Sequence, residues 1–211
     1  MSAVFLDLDG TLMDSEPGIL SSLRAAFVVV GRPDIVGSDL KWMIGPPFID
    51  SFNKINIENP QRAIDAYRDV YSAGGMYDAK VYEGVFPMMA DLERAGHRLY
   101  LATAKPHVAA TKITAHFGLA PHFVEEFGPE LDGTRNWKGD LLSYALARTG
   151  EDASSAVMVG DRHHDFAAAA SVGMKCIAVR WGYGPEVELR EADSIIDHPS
   201  ELAGAIAAIG L

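Results

Sequence analysis

The sequence predicts an α/β fold: a parallel sheet sandwiched by helices, with a helical segment inserted after the first strand. Three observations predict it. Short apolar runs alternate with stretches of helical period along all 211 residues, and 48% hydrophobic content supplies a core for one domain or one domain with an insertion. Several of those runs stop at a polar residue, the first being Val4-Phe5-Leu6-Asp7-Leu8-Asp9-Gly10-Thr11. The stretch from Asp14 to Tyr82 then reads as helices and is too long for a simple crossover.

The first strand carries the most information. Asp7 and Asp9 are two residues apart, so both carboxylates face one side of the strand with Cα atoms roughly 6.7 Å apart. A cation beside them or a shared proton relieves their repulsion. Gly10 and Thr11 turn the chain out of the sheet and leave both acids at the strand's C-terminal end, where open α/β sheets bind ligands. Asp-Gly is also a common turn pair. The chain contains its own control, because Leu131-Asp132-Gly133-Thr134 repeats the letters without a preceding apolar strand or a second Asp. That copy reads as an ordinary turn.

In the insert, Ser15 to Val30 has helical apolar spacing, and Pro60 to Tyr77 predicts a second helix opened by proline. Between them Gly37 to Phe52 reads as a short broken region containing Ile44-Gly45-Pro46-Pro47. A backbone there is able to approach a ligand closely, although a plain interhelical turn fits the same letters. Trp42, Phe48 and Phe52 have the spacing of core packing. Lys80 to Gly84 returns the chain to a helix beginning near Val85. Residues 15–82 are therefore expected to form a helical cap on a core of residues 1–14 and 83–211, hinged through two thin connections.

Three further element boundaries carry chemistry. Leu99-Tyr100-Leu101-Ala102 runs into Thr103-Ala104-Lys105-Pro106, a strand ending in a hydroxyl. Lys138 precedes an amphipathic helix. Ala156-Val157-Met158-Val159-Gly160-Asp161 ends in acid, followed by Arg162-His163-His164-Asp165. Met174 to Val179 has a buried-strand pattern. The tail from Pro185 predicts a peripheral helix, a short strand at Ser194-Ile195-Ile196 and a final helix.

With DLDGT, the strand-final Thr, the Lys and GDxxxD in that order, the chain resembles the haloacid-dehalogenase-type phosphohydrolases from Ala3 to Ile209. It is most similar in pattern to phosphoglycolate-phosphatase-like members with a small helical cap, and Trp181-Gly182-Tyr183-Gly184 fits that subgroup. The resemblance implies a Rossmann-like core with Asp7 as nucleophile, forming an aspartyl-phosphate, and Asp9 as general acid and then base. It implies that Thr103 and the N–H of Ala104 bind phosphoryl oxygens and that Lys138 offsets their charge. Mg²⁺ would be held by Asp161, one oxygen of Asp7 and the backbone carbonyl of Asp9. Asp165 would join them directly or through water, unless it is simply a first-turn acid favoured by the helix dipole. Gly10, Thr11 and Lys105 would help bind substrate, and Gly45 and Pro46 would form the cap's substrate loop. Family members often carry Ser or Asn where this chain has Ala104, which removes one donor and leaves the backbone amide.

The expected reaction is hydrolysis of a small phosphomonoester, 2-phosphoglycolate first. A nucleoside 5′-monophosphate or another small metabolite comes next, then a phosphosugar mutase of the same fold, then a catalytically silent phosphate-binding module. Mutases of this fold usually carry Val after DLDG, so Thr11 favours hydrolysis. Asp9 supplies an acid/base that dehalogenation does not use.

Composition narrows the partners. A net charge of −11 argues against a nucleic-acid footprint and leaves a small anionic phosphate metabolite as the expected ligand. Its capture would rely on Mg²⁺ and a basic lining drawn from Lys105, His107, Lys138, Arg162, His163 and His164. Adjacent histidines on a helix point about 100° apart, so His163 and His164 do not suit one shared ion. No run of transmembrane length or leader pattern is expected, since Met1-Ser2-Ala3 leads straight into the first strand. The one cysteine, Cys176, reads as a core residue and fits a reducing cytoplasm. A monomer or homodimer is expected, and no exposed apolar pattern suggests a protein partner for the cap.

Overall fold

A computed structural model describes residues 1–211. Its main sheet has six parallel strands: β1 (Ala3–Leu6), β4 (Arg98–Ala102), β5 (Glu125–Phe127), β6 (Ala156–Gly160), β7 (Lys175–Val179) and β8 (Ser194–Ile196). Their order is β5-β4-β1-β6-β7-β8. The chain leaves β1 towards one edge and returns to build the other, so β1 lies at the switch point where such sheets bind ligands. Register does the rest. Leu6 pairs with Leu101 of β4 and with Val159 of β6. The residues that follow these three strand ends therefore emerge side by side along one edge.

Strand alternation sends side chains to two faces. Val4, Leu6, Leu99, Leu101, Val157 and Val159 pack on one face, in a cluster shared with α4 (Val85–Arg94) and α9 (Leu202–Ala208). Phe5, Tyr100, Ala102 and Met158 pack on the other, against α6 (Lys138–Thr149) and α7 (His163–Ser171). Phe5 is fully buried and stacks on Tyr100 at a centroid distance of 4.9 Å. Helix α5 (His107–His116) follows β4, and the short α8 (Glu186–Leu189) precedes β8.

The insert contains α1 (Glu16–Val29), α2 (Phe48–Lys54) and α3 (Pro60–Ala73). Asn59 caps α3, its side-chain oxygen accepting the Arg62 N–H at 3.0 Å. The helix expected to reach Tyr77 ends at Ala73, at a Gly74-Gly75 pair followed by a 3-10 turn, Gly75–Tyr77. Close packing requires Gly18 and Gly75: a Cβ on Gly18 of α1 would lie 1.9 Å from the Gly75 carbonyl oxygen, and one on Gly75 would lie 2.4 Å from Ser22 Oγ. Helix α2 occupies the second half of the stretch read as broken. Pro47, its N-cap residue, terminates the preceding loop and starts it. The rings of Phe27, Phe52, Phe48, Tyr67 and Tyr71 form a continuous series through the cap, with neighbouring centroids 4.5–5.7 Å apart.

Both connections between insert and sheet are tied together by a ribbon that the sequence did not disclose. Strands β2 (Met13–Asp14) and β3 (Lys80–Val81) pair antiparallel, two residues each. Strands that short carry no readable alternation. No helix is long and apolar enough to cross a membrane.

Candidate active site

Asp7 is the first residue beyond β1, and its N–H donates to the Val159 carbonyl at 3.0 Å. Its backbone thus continues the sheet while its carboxylate stands at the edge. The chain then turns sharply, with the N–H groups of Thr11, Leu12 and Met13 all directed at the Leu8 carbonyl. Gly10 adopts a φ of +83°, and a Cβ there would fall 2.4 Å from Asp161 Oδ2. Only glycine meets both conditions.

Lys138 opens α6 and is buried between two acids. Its Nζ lies 2.9 Å from Asp7 Oδ1 and also contacts Asp165 Oδ1. Burial opposes its charge, but Asp165 and Asp7 outweigh that and hold its pKa above the ordinary lysine value. The other Asp165 oxygen accepts the Arg162 N–H at 3.1 Å, closing the start of α7 as a capping acid. Asp161 is fully buried at the end of β6, with Oδ2 accepting the Tyr183 N–H at 2.6 Å. Thr103 continues β4, its N–H donating to Phe127 at 3.1 Å and its hydroxyl accepting from the Lys105 N–H at 3.2 Å. Ala104 follows it into the cavity wall.

Asp9 occupies a different environment from Asp7. Its Oδ1 accepts from the Ser15 hydroxyl and its Oδ2 lies 3.0 Å from Lys105 Nζ. Lys105 also donates to the Tyr71 hydroxyl at 2.7 Å, so a cap residue on α3 shares the ammonium that holds Asp9. Thr11 is buried beside them with its hydroxyl unpartnered, and the Trp181 indole N–H donates to its carbonyl at 3.0 Å.

The seam between core and cap is closed from two further points. The Arg162 guanidinium donates to the Ile44 carbonyl of the cap loop and pairs with Glu188 at 2.9 Å. Gly45, next in that loop, lies against the Arg162 side chain. The Tyr183 hydroxyl accepts the N–H groups of Ser15 and Glu16 at 2.8 and 3.0 Å and donates to Asp14 at 3.2 Å.

The donor set fits a divalent cation. One oxygen each of Asp7, Asp161 and Asp165 lies within 4.8 Å of the others, in a fully buried group. Asp161 Oδ1 has no hydrogen-bond partner, and Asp7 Oδ1 has only the unaligned ion pair with Lys138. Burial pushes the Asp7 carboxyl up to about 6, with Lys138 opposing and Asp165 adding to the rise. Burial, Asp165 and Asp7 raise Asp161 well above the usual carboxylate range. Three buried carboxylates this close, with Asp165 raising both Asp7 and Asp161, form a cluster that a hard cation with oxygen ligands would relieve.

Above this floor lies a cavity of about 460 Å³. Asp7, Asp9, Thr103, Ala104 and Lys105 form its base, Gly45 and Pro46 its rim, and Tyr67 and Tyr71 part of its cap wall.

A model of the haloacid dehalogenase-like hydrolases matches residues 4–179, which include the floor and the insert. The chain belongs to this family. It is a capped member of the haloacid dehalogenase-like hydrolases, and its relatives are diverse. It is 42% identical over 182 residues to the tyrosine-protein kinase PtkA of Mycobacterium tuberculosis, covering 86% of this chain and 62% of that protein's length. It is 38% identical to a 5′-nucleotidase of Pseudomonas aeruginosa, covering 89% of this chain and 86% of the nucleotidase. A crystal structure of a predicted phosphatase from Clostridium acetobutylicum superposes with a TM-score of 0.92 at 35% identity, covering 98% of both chains.

Sequence reasoning named the residues of the floor and missed those that connect it to the cap. Ser15, Tyr71 and Glu188 carry no motif at the right spacing, and Tyr183 was named only as part of the Trp181-Gly182-Tyr183-Gly184 motif, without its contacts. Tyr71 was visible only as a helical aromatic, and its meeting with Lys105 depends on how the cap docks.

Proposed function

We propose that this protein hydrolyses a small phosphomonoester through an aspartyl-phosphate on Asp7, with Mg²⁺ held by Asp7, Asp161 and the Asp9 carbonyl. The observation that carries this reading is the buried Asp7, Asp161, Asp165 cluster with its unpartnered oxygens beside Lys138. When bound, the cation neutralises phosphoryl oxygens and fixes their position. An Asp7 oxygen attacks phosphorus as the ester bond breaks, and Asp9 delivers a proton to the departing oxygen. Asp9 then takes a proton from water, which attacks phosphorus and releases Asp7 and phosphate. Ser15 and Lys105 fix both Asp9 oxygens for that exchange. Thr103 and the Ala104 N–H bind phosphoryl oxygens, and Lys138 compensates Asp7 and the phosphoryl group together. Asp165 has both oxygens engaged, by Lys138 and the Arg162 N–H, so its part is to hold Lys138 and meet the cation through water.

The leaving group is larger than glycolate. A cavity of about 460 Å³ walled by tyrosines suits a nucleoside better than a two-carbon acid. The Pseudomonas relative's name as a 5′-nucleotidase supports the same order, nucleoside 5′-monophosphate ahead of 2-phosphoglycolate. Phosphate release from nucleoside monophosphates, 2-phosphoglycolate and hexose phosphates, with Mg²⁺ or chelator and beside Asp7→Asn, tests both parts. Mg²⁺-dependent release that vanishes in the variant supports the chemistry. A kcat/KM that is highest for 2-phosphoglycolate would refute the size argument, and no release from any ester would refute the reaction.

A further inference from the structure

The cavity narrows to the catalytic carboxylates at one end and runs outward between α3 of the cap and α5 of the core. Tyr71, bonded to Lys105, marks the inner end on α3, and Arg68 lies one turn further out. On the opposite wall α5 leads away from Lys105 and Pro106, with Lys112 lining the cavity past Val108. Helix rise puts Arg68 roughly 4.5 Å beyond Tyr71 and Lys112 roughly 7.5 Å beyond the start of α5.

These two cations differ from most others in the chain. Lys105 and Lys138 are committed to catalytic acids, and the surface arginines and lysines 32, 41, 80, 94, 98, 148, 175 and 180 pair with carboxylates. Arg135 pairs with Glu130 and Arg162 with Glu188. Arg68 and Lys112 have no carboxylate within ion-pair distance, although Asp69, Glu130 and Asp132 also line the cavity. Glu130 is taken by Arg135, Asp132 accepts the Thr134 N–H at 2.9 Å through one oxygen, and Asp69 and Asp132 have no cation partner. In a protein of net charge −11, two unpaired cations lining the substrate cavity, one from the cap and one from the core, form a local anion site.

We propose that Arg68 and Lys112 form a second anion-binding subsite, so that the preferred substrate is a phosphomonoester whose leaving group ends in another phosphate or a carboxylate. The inference rests on the phosphatase reading and sharpens its substrate class. Because one cation comes from each side, the far anion also bridges the cap to the core. The subsite therefore calls for a leaving group longer than the two carbons of 2-phosphoglycolate, such as a nucleoside carrying a second phosphate.

The test is a length series read as a ratio. Phosphate release is measured with Mg²⁺ for ω-carboxyalkyl phosphates, α,ω-alkanediol bisphosphates and uncharged alkyl phosphates of about two to eight carbons, a span matched to the helix rise. For each length, kcat/KM of the charged ester is divided by that of the neutral one within the same protein, so a general loss of activity cancels. In the natural protein the ratio should climb to about tenfold at the longer lengths, as charge-assisted contacts form. It should flatten in the Arg68→Gln/Lys112→Gln double variant, invert in Arg68→Glu and persist in Arg68→Lys. The two charged series tell a phosphate from a carboxylate as the favoured anion. A flat ratio in the natural protein, or a climbing one in the double variant, would overturn the subsite while leaving the phosphatase reading intact. No release from any ester would overturn both.

Discussion

The two sides of the cavity are built on opposite plans. On the floor, polar side chains are buried and held at strand ends by the sheet's own backbone bonding, as with Asp7 on Val159 and Thr103 on Phe127. In the cap, an aromatic series forms the interior and few polar groups reach across the seam, chiefly the Tyr71 hydroxyl and the Ile44 carbonyl. The floor spends its rigidity on charge, whereas the cap presents shape and two outlying cations. One half can therefore keep its chemistry while the other changes its ligand.

Four substitutions would break or sharpen that contrast. Asp7→Asn should lower phosphate release by on the order of 10⁴-fold or more while circular dichroism and thermal unfolding remain close to those of the natural protein. A variant with ordinary turnover would remove Asp7 as nucleophile. Lys138→Met should leave Asp7 and Asp165 uncompensated in a buried site, at about 3–5 kcal/mol in urea unfolding. Unchanged stability would mean that the floor tolerates its acids without the lysine. Across the seam, Tyr71→Phe removes one hydroxyl between cap and Lys105, and KM should rise about two- to tenfold. A loss confined to kcat would show that Tyr71 serves Asp9 rather than the docking of the cap.

The smallest effect concerns acid. Burial works against the Glu188 charge, but hydrogen bonds from Arg162 and the His163 N–H prevail and hold its pKa down at about 2. A carboxyl depressed in the folded state stabilises it fully above the ordinary value of 4.5, and that contribution is lost as pH falls towards 2. Glu188→Gln should therefore lose stability at pH 6 by less than about 1 kcal/mol, given the pair's partial exposure, and the difference should shrink at low pH. A deficit that grows on acidification would contradict the sign.

How much of this was legible in the sequence follows the same division. Asp7, Thr103 and Asp161 marked the floor because each ends an apolar run at a strand boundary, and Lys138 because it opens an amphipathic helix. Strand register then aligned the first three without further instruction. The ribbon of β2 and β3 was invisible because two residues show no alternation, and β5 was missed because Glu125-Glu126-Phe127 carries too little apolar signal. Helix α3 was read four residues too long, since Met76 and Tyr77 keep its period past Gly74 and Gly75, of which Gly75 is demanded by close packing. Asp165 fits both readings offered for it, a first-turn acid and a member of the cluster. Contacts such as Lys105 with Tyr71 depend on the docking of the insert, and no local pattern encodes that.

The acids Asp161 and Asp165 are each held by a backbone N–H, from Tyr183 and Arg162 respectively. A backbone donor survives any substitution except proline. The side chains of these two residues are spent elsewhere, one on the backbone N–H groups of Ser15 and Glu16, the other on the cap loop at Ile44. Inherited variation at positions 162 and 183 can therefore alter how the lid sits without withdrawing the donors that aim the acids. The joint is modular within a single residue: its main chain aims an acid, and its side chain is free to change how the cap is held.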